Sequence, residues 1–433
     1  MMKQTLLSRL LVGVAASFVL ASAASAATFY VRAGATGANN GSDWANAWSS
    51  VSAVRNASLA AGDTVYVAAG TYGALTVNRS GAAGSPITIK RATGATHGTD
   101  TGWSSGYDGK VVLDGNGDLC AICIGDSNQA NYITVDGATR YGIVAKNAYH
   151  GVRTRGPSSM AHNLTLRYLD IGDAGAGKMQ EDGIQGAGNN LVLEKSYIHD
   201  NDDISTHGDG IQWFEGDNVT MRYNVFKNNG QQMMLTETAW GSDYVTNLNV
   251  YYNVFYNRGG AHYNGISKKL CPPSGQWKFY NNTWDLEAAS SGYEDELFSG
   301  AGSCKAMVFA NNAVIYSRAG SLSALTHNNN AFDNSSPYGV ISIPSSETGA
   351  VVVGDLGLTN VSAADYHPTS SSPLIGRGVN VGLTVDFDGK PVASTPTIGA
   401  FEPGTASGTQ PPAPTEPSAP AAPAAPTNLR VTQ

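Results

Sequence analysis

The chain has 433 residues, a net charge of −8, 14% charged residues and 51 glycines. An acidic surface of this kind repels nucleic acid and anionic membranes. Charge well below the usual ~25%, with abundant Gly, Ser, Thr and Asn, suits an all-β extracellular protein better than a helical one.

In chain order, "MMKQTLLSR" is basic, "LLVGVAASFVLA" is apolar, and "SAASAA" presents the small residues Ala24-Ser25-Ala26. This predicts a secretory signal peptide over residues 1–26, whose apolar run is too short to span a bilayer. The mature chain is expected to be secreted or periplasmic, with no membrane or nucleic-acid partner. Loss of Lys3 and Arg9 leaves 24 basic residues against 34 acidic ones. Next, Trp44, Ala45, Trp48, Val51 and Val54 have helical spacing before the strand-like "TVYVAAG". They predict an amphipathic N-terminal cap.

The centre of the chain repeats. Segments opening Asn-apolar begin at Asn163, Asn190, Asn218 and Asn247, with a variant at Gln276, at intervals of 27, 28, 29 and 29 residues. Each alternates apolar and polar residues over four to six positions, the period of a half-buried strand. Six residues into successive units stand Asn224, Asn253, Asn282 and Asn312. Amides at one phase of such a period can stack as a ladder that locks a turn. Propeller repeats are longer, about 40–50 residues. The expected fold is all-β, a single-stranded right-handed parallel β-helix over residues 27–404. "PTIGAFEPG" (Pro396–Gly404) reads as its last strand, and 405–433 as a Pro/Ala-rich linker and tail. Of the four cysteines, Cys271 and Cys304 lie about one repeat apart and are expected to bridge neighbouring layers. "CAIC" (Cys120–Cys123) reads as a structural pair.

"FYVRAGATGANNGSDWANAW", "GDTVYVAAGTYGALTVNRSGAAGSPITIKRATG" and the repeats resemble the secreted right-handed β-helix group that includes polysaccharide lyases of families 6 and 9. The resemblance spans roughly Thr28 to Gly404. It implies a polysaccharide partner, acidic in character; a monomer is the expected state. One scaffold hosts several reactions, so the chemistry has to come from particular residues.

"DGIQ" occurs twice, at Asp182 and Asp209, each time after an acid-rich loop. Aligning Ile184, Ile211, Met234 and Ile266 puts Asp182, Asp209, Gln232 and Asn264 in one column, with Glu237, Lys268 and Lys269 beyond it. Asp182 and Asp209, with Glu181 and Asp203, offer hard oxygens for Ca²⁺; as a plain alternative, Asp-Gly makes a turn. Arg155, Lys178, Gln212, Trp213, Trp240 and Lys269 would contact a glycan, the tryptophans by stacking. "HDNDD" (His199–Asp203) reads as a solvated acidic loop. The family 9 resemblance, carried by "EDGIQ", "GDGIQ" and "NGISK", implies Asp182 and Asp209 as calcium ligands and Lys268 as the base. The sequence departs from that pattern: Gln212 stands where the family has its last Asp, and Lys268 is displaced by one residue. His207 and Glu237 are further acid/base candidates. β-Elimination of a uronate glycan is the leading expectation. Hydrolysis by a carboxylate pair and non-catalytic glycan binding are the others.

Overall fold

The computed structural model describes residues 26–126, 128–156, 159–172, 182–201, 208–235, 244–257, 264–268, 271–286, 296–299, 304, 306–316, 326–335, 343 and 345–404. The alternating segments form strands stacked in parallel, each paired with its counterpart one turn on. Sheet 1 holds eleven strands among the described residues, from Thr28–Val31 to Thr326–Asn328. Sheet 2 also holds eleven, from Gly70–Tyr72 to Val351–Val353, and sheet 3 holds eight, from Leu75–Val77 to Glu296–Ser299. The chain visits sheets 1, 2 and 3 once per turn, which makes it a parallel β-helix.

Inward residues of sheet 1 form two columns. Leu164, Leu191, Val219, Leu248, Trp277 and Met307 make one, and Leu166, Leu193, Met221, Val250, Phe279 and Phe309 the other, all at most 1% exposed. From sheet 2, Phe226, Phe255 and Trp284 stack with ring centroids 4.9 and 3.9 Å apart. Each such side chain contributes about 1.5–3 kcal/mol by leaving water.

The corner between sheets 1 and 2 is built by one repeated device. Tyr168, Lys195, Tyr223, Tyr252, Asn281 and Asn311 each adopt positive φ, between 51° and 60°. L-residues resist this conformation, and the next residue compensates. Nδ2 of Asn224, Asn253 and Asn282 each donates to Oδ1 of the asparagine one turn on, at 3.0 Å. Asn312 continues the ladder to Asn330 at 3.2 Å. All five asparagines are fully buried. The Ser196 amide starts the ladder on Asn224 Oδ1, and Glu347 Oε1 ends it on Asn330 Nδ2. The predicted ladder therefore exists and extends one turn further.

Two expected elements differ. The cap contains only a short helix, Ala53–Asn56. Trp48 instead exchanges backbone hydrogen bonds with Tyr30 and Arg32, and Asp43 closes a side-chain turn on Asn46; both use backbone groups that a longer helix would need. Pro396–Gly404 is not a strand. It belongs to a C-terminal segment that packs on the outside of sheet 2, where Tyr366, Leu374, Ile398, Ala400 and Phe401 bury Val254, Ala313, Ile315 and Ala331. The Ala400 amide donates to Thr283 Oγ1 and the Gly399 amide to Asn311 O. Disulfides join Cys271 to Cys304, as the repeat spacing suggested, and Cys120 to Cys123. The expected signal peptide, apart from Ala26, and the tail lie outside the described residues. Among the described residues no helix is long and apolar enough to cross a membrane.

His199 and Asp200 are tied into the outer side of sheet 2 and do not form a solvated loop. His199 Nε2 meets Asp170 Oδ1 and its Nδ1 meets Asp200 Oδ2, both at 2.8 Å. Lys110 and Lys227 complete the row at 3.0 and 3.2 Å from Asp170 and Asp200. Burial opposes charge on His199, but the two carboxylates outweigh it and push the imidazole pKa up to about 9. A raised pKa means that the folded state holds the proton more tightly. This contribution is therefore complete below pH 6.5 and is lost as pH rises through about 9. Its upper bound is roughly 3 kcal/mol. Thermal unfolding should show the wild type losing more stability between pH 6 and 9.5 than His199→Gln. Equal losses would mean that the row does not titrate as a unit. The raised pKa of His367 acts in the same direction in both proteins.

Candidate functional site

Sheet 3 repeats a four-residue pattern that explains DGIQ. Its copies are Cys120-Ala121-Ile122-Cys123, His150-Gly151-Val152-Arg153, Asp182-Gly183-Ile184-Gln185, Asp209-Gly210-Ile211-Gln212 and Asn264-Gly265-Ile266-Ser267. The register stacks them position on position, with Gln231-Gln232-Met233-Met234 between the last two. The second position faces inward: a Cβ on Gly183 would lie 2.8 Å from Ile198 Cγ2, and one on Gly210 3.0 Å from the Phe226 ring. The third position is a core aliphatic residue, fully buried. First and fourth positions are left to share the outer side. There Gln185 Nε2 donates to Asp182 Oδ2 at 3.1 Å and to Gln212 Oε1 at 3.2 Å. Asp209-Gly210 is thus part of a strand in which glycine serves packing, not a turn, while Asp182-Gly183 bends the chain just ahead of the strand Ile184–Gly186.

Two outer columns result. One runs Cys120, His150, Asp182, Asp209, Gln231; the other runs Cys123, Arg153, Gln185, Gln212, Met234, Ser267. The Cys120–Cys123 disulfide links the two columns at one end. Asp182 and Asp209 occupy neighbouring rungs, about 4.8 Å apart by strand spacing, and the Asp209 amide donates to Asp182 Oδ1 at 3.2 Å. Both carboxylates are buried, at 2% and 0% exposure. On the preceding rung His150 is 3% exposed, with Nδ1 3.6 Å from Asp182 Oδ2. That gap exceeds a hydrogen bond. Burial, then Arg153 and Arg155, push the His150 pKa down to about 3, so the imidazole is neutral. Arg153 Nη1 pairs with Asp126 Oδ1 at 3.1 Å. Arg155 lies 4.8 Å over the Phe214 ring and is drawn electrostatically to Glu215.

The structure brings Asp182, Asp209, Gln212 and Arg155 of the expected set together with Arg153, the other basic residue expected from the preceding turn, and adds His150 and Gln185. Sequence reasoning missed His150 because its strand was not aligned with the DGIQ copies, although HGVR shows the same x-Gly-aliphatic-polar form. Two expectations need correction. Trp213 is fully buried in the core, two residues beyond inward Ile211, and fills space that Gly186 leaves: a Cβ there would lie 2.5 Å from its ring. It cannot stack on a glycan. Met233, not Met234, aligns with Ile211 and Ile266. The outer column accordingly carries Gln231, while Gln232 turns inward and its Oε1 accepts from Asn229 Nδ2. In backbone register Lys268 pairs with Leu235, and Leu235 with Trp213; the Lys268 side chain lies outside the described ones. His207, Glu237, Lys178, Trp240, Lys269, Glu181 and Asp203 lie outside the described residues.

For Ca²⁺, which takes six to eight oxygens, Asp182 and Asp209 match in donor kind and supply part of the number. Among the described residues no group of three or more His, Cys, Asp or Glu could hold a metal ion.

Residues 120–283 match the family described as right handed beta helix region. No curated protein sequence matches the chain. Among solved structures, it is similar to pectate lyase Pel9A, with 16% identity over 88% of this chain and 97% of that one and a TM-score of 0.50. An alginate lyase from Paenibacillus sp. str. FPU-7 aligns at 14% identity over 76% of this chain and 98% of that one, with a TM-score of 0.39. A mannuronic acid specific family 6 lyase from human gut microbiota aligns at 13% identity over 76% and 59%, with a TM-score of 0.41. At these identities the likeness is one of fold: the chain is a right-handed parallel β-helix, the architecture it shares with pectate lyase Pel9A.

Proposed function

We propose that this chain degrades a polysaccharide, and that it cleaves a uronate-containing glycan by β-elimination on the outer side of sheet 3. The observation that carries the reading is the pairing of Asp182 and Asp209 on adjacent rungs, flanked by Arg153, Arg155 and a neutral His150. The fold shared with pectate lyase Pel9A supports the substrate class.

β-Elimination removes the C5 proton beside the uronate carboxylate; its electron pair forms the C4–C5 double bond as the C4–O glycosidic bond breaks, and the departing oxygen takes up a proton. Arg153 and Arg155 would neutralise the carboxylate, while Gln185 and Gln212 would hold sugar hydroxyls. Asp182 and Asp209, with Glu181 and Asp203, would hold Ca²⁺, which when bound supplies positive charge that acidifies the proton to be removed. The candidate bases are Lys268, at the end of the strand Asn264–Lys268, and His207, two residues before Asp209. Glu237, two residues past the strand Gln231–Leu235, comes next.

The test is incubation with a panel of acidic glycans, following the ultraviolet absorbance of the unsaturated uronyl end. A rise is expected, falling at least about 10-fold after chelation and returning with added Ca²⁺. Terbium luminescence gives a separate readout of the ion site. Carboxylates one strand spacing apart also approach the ~5–5.5 Å of retaining glycosidases. New reducing ends without absorbance would replace elimination by hydrolysis, and binding without either product would remove the enzymatic reading.

A further inference from the structure

The C-terminal mouth of the solenoid carries a cluster that the sheet 3 face does not use. His327 sits in the strand Thr326–Asn328, in register with core residue Phe309. Its side chain is 4% exposed, and that of Glu347 is 1% exposed. Glu347 Oε2 contacts His327 Nδ1. Glu347 Oε1 is fixed by Asn330, which donates from its amide and from Nδ2, each at 3.1 Å. The last rung of the asparagine ladder thus holds the carboxylate. On the other side of the ring, the hydroxyl of Ser346, an exposed residue, lies 3.4 Å from His327 Nε2.

A histidine that donates Nδ1–H to a buried carboxylate keeps its lone pair on Nε2. That is the tautomer a general base needs, and here Nε2 faces a serine at the surface. Plugging the solenoid would explain a buried His–Glu pair, but it requires no hydroxyl on the outer nitrogen. An exposed nucleophile, a base within reach and a carboxylate orienting that base are the three parts of an activated serine. We propose that Ser346, His327 and Glu347 form a second reactive site, which takes carboxylic esters with a small acyl group. In the first step Ser346 Oγ forms a bond to the acyl carbon and its proton passes to Nε2. The ester C–O bond breaks, and the alcohol leaves with that proton. Water then adds to the acyl-serine by the same relay, releasing the acid and restoring the hydroxyl. The described contacts assign no oxyanion donor, a group worth about 10²–10³ in rate. Reaction is therefore expected with activated esters and not with amides.

The intact secreted protein should be treated with a fluorophosphonate probe and mapped by peptide mass, with 4-nitrophenyl acetate hydrolysis followed in parallel. One adduct is expected, on Ser346. Ser346→Ala should abolish it without moving the melting temperature, because the residue is exposed. His327→Gln should slow labelling by at least about 10²-fold. If that variant is unstable, Ser346→Ala decides alone. A wild type without an adduct, an adduct on another residue, or acetate hydrolysis unchanged in Ser346→Ala would each overturn the proposal.

Discussion

Asn253→Leu should cost about 3–6 kcal/mol and lower the melting temperature by about 5–10 °C. The Asn253 Nδ2 protons serve Met221 O at 2.9 Å, Tyr251 O at 3.1 Å and Asn282 Oδ1 at 3.0 Å. Its Oδ1 accepts from the amide and Nδ2 of Asn224, at 2.9 and 3.0 Å. Leucine matches the amide in size and satisfies none of these groups. Several polar atoms would then be buried without partners, each costing about 1–3 kcal/mol. A second ladder provides the control. Asn190 Nδ2 donates to Asn163 Oδ1 at 2.8 Å, but on the exposed corner and at a φ of 60°. Asn190→Gly keeps that backbone conformation and leaves the freed groups to water, so it should cost less than about 1 kcal/mol. Denaturant unfolding of the two variants checks the contrast. Equal losses would mean that burial is not what gives the inner ladder its strength.

Asp209→Asn is expected to reduce glycan cleavage by about 10²–10⁴-fold, the range associated with charge-stabilising and acid–base groups, while leaving the melting temperature within about 2 °C. The substitution is isosteric and removes one of two like charges on neighbouring rungs, which repel. A carboxylate present only for structure should behave in the opposite way, with stability falling and residual activity following it. Initial rates and thermal unfolding of the same preparation separate the two cases. Cleavage within a few-fold of wild type would remove Asp209 from the site.

Much of the scaffold is legible because it is written at one phase. Asn224, Asn253, Asn282 and Asn312 announce the turn, and the alternation around them announces sheet 1, since each residue there answers to a local neighbour. Sheet 3 is harder to read. Its strands carry two adjacent inward positions, glycine then aliphatic, so simple alternation misplaces the residues beyond them. Counted from outward Asp209, alternation puts Trp213 outside and makes it look like a glycan platform, whereas counted from inward Ile211 it falls in the core. The doubled Gln231-Gln232-Met233-Met234 likewise lets Met234 be aligned in place of Met233. The C-terminal segment is opaque for a different reason. Tyr366, Ile398 and Phe401 pack against sheet 2 residues far away in the chain, a contact that leaves no periodicity. Of the candidate site, the acidic pair is visible in the repeated DGIQ. Arg153 and Arg155 are visible as basic residues of the preceding turn, but His150 is hidden because only the registered stacking of HGVR on DGIQ reveals it.

The site assignment meets its most direct test in hydrogen–deuterium exchange of Asp209→Asn with and without a saturating oligouronate. Slowed exchange is predicted in the peptides spanning residues 150–153, 182–186, 209–213 and 231–235, with sheets 1 and 2 unchanged. Protection confined to sheet 1 or sheet 2, or no protection at concentrations where the wild type cleaves the same glycan, would contradict it.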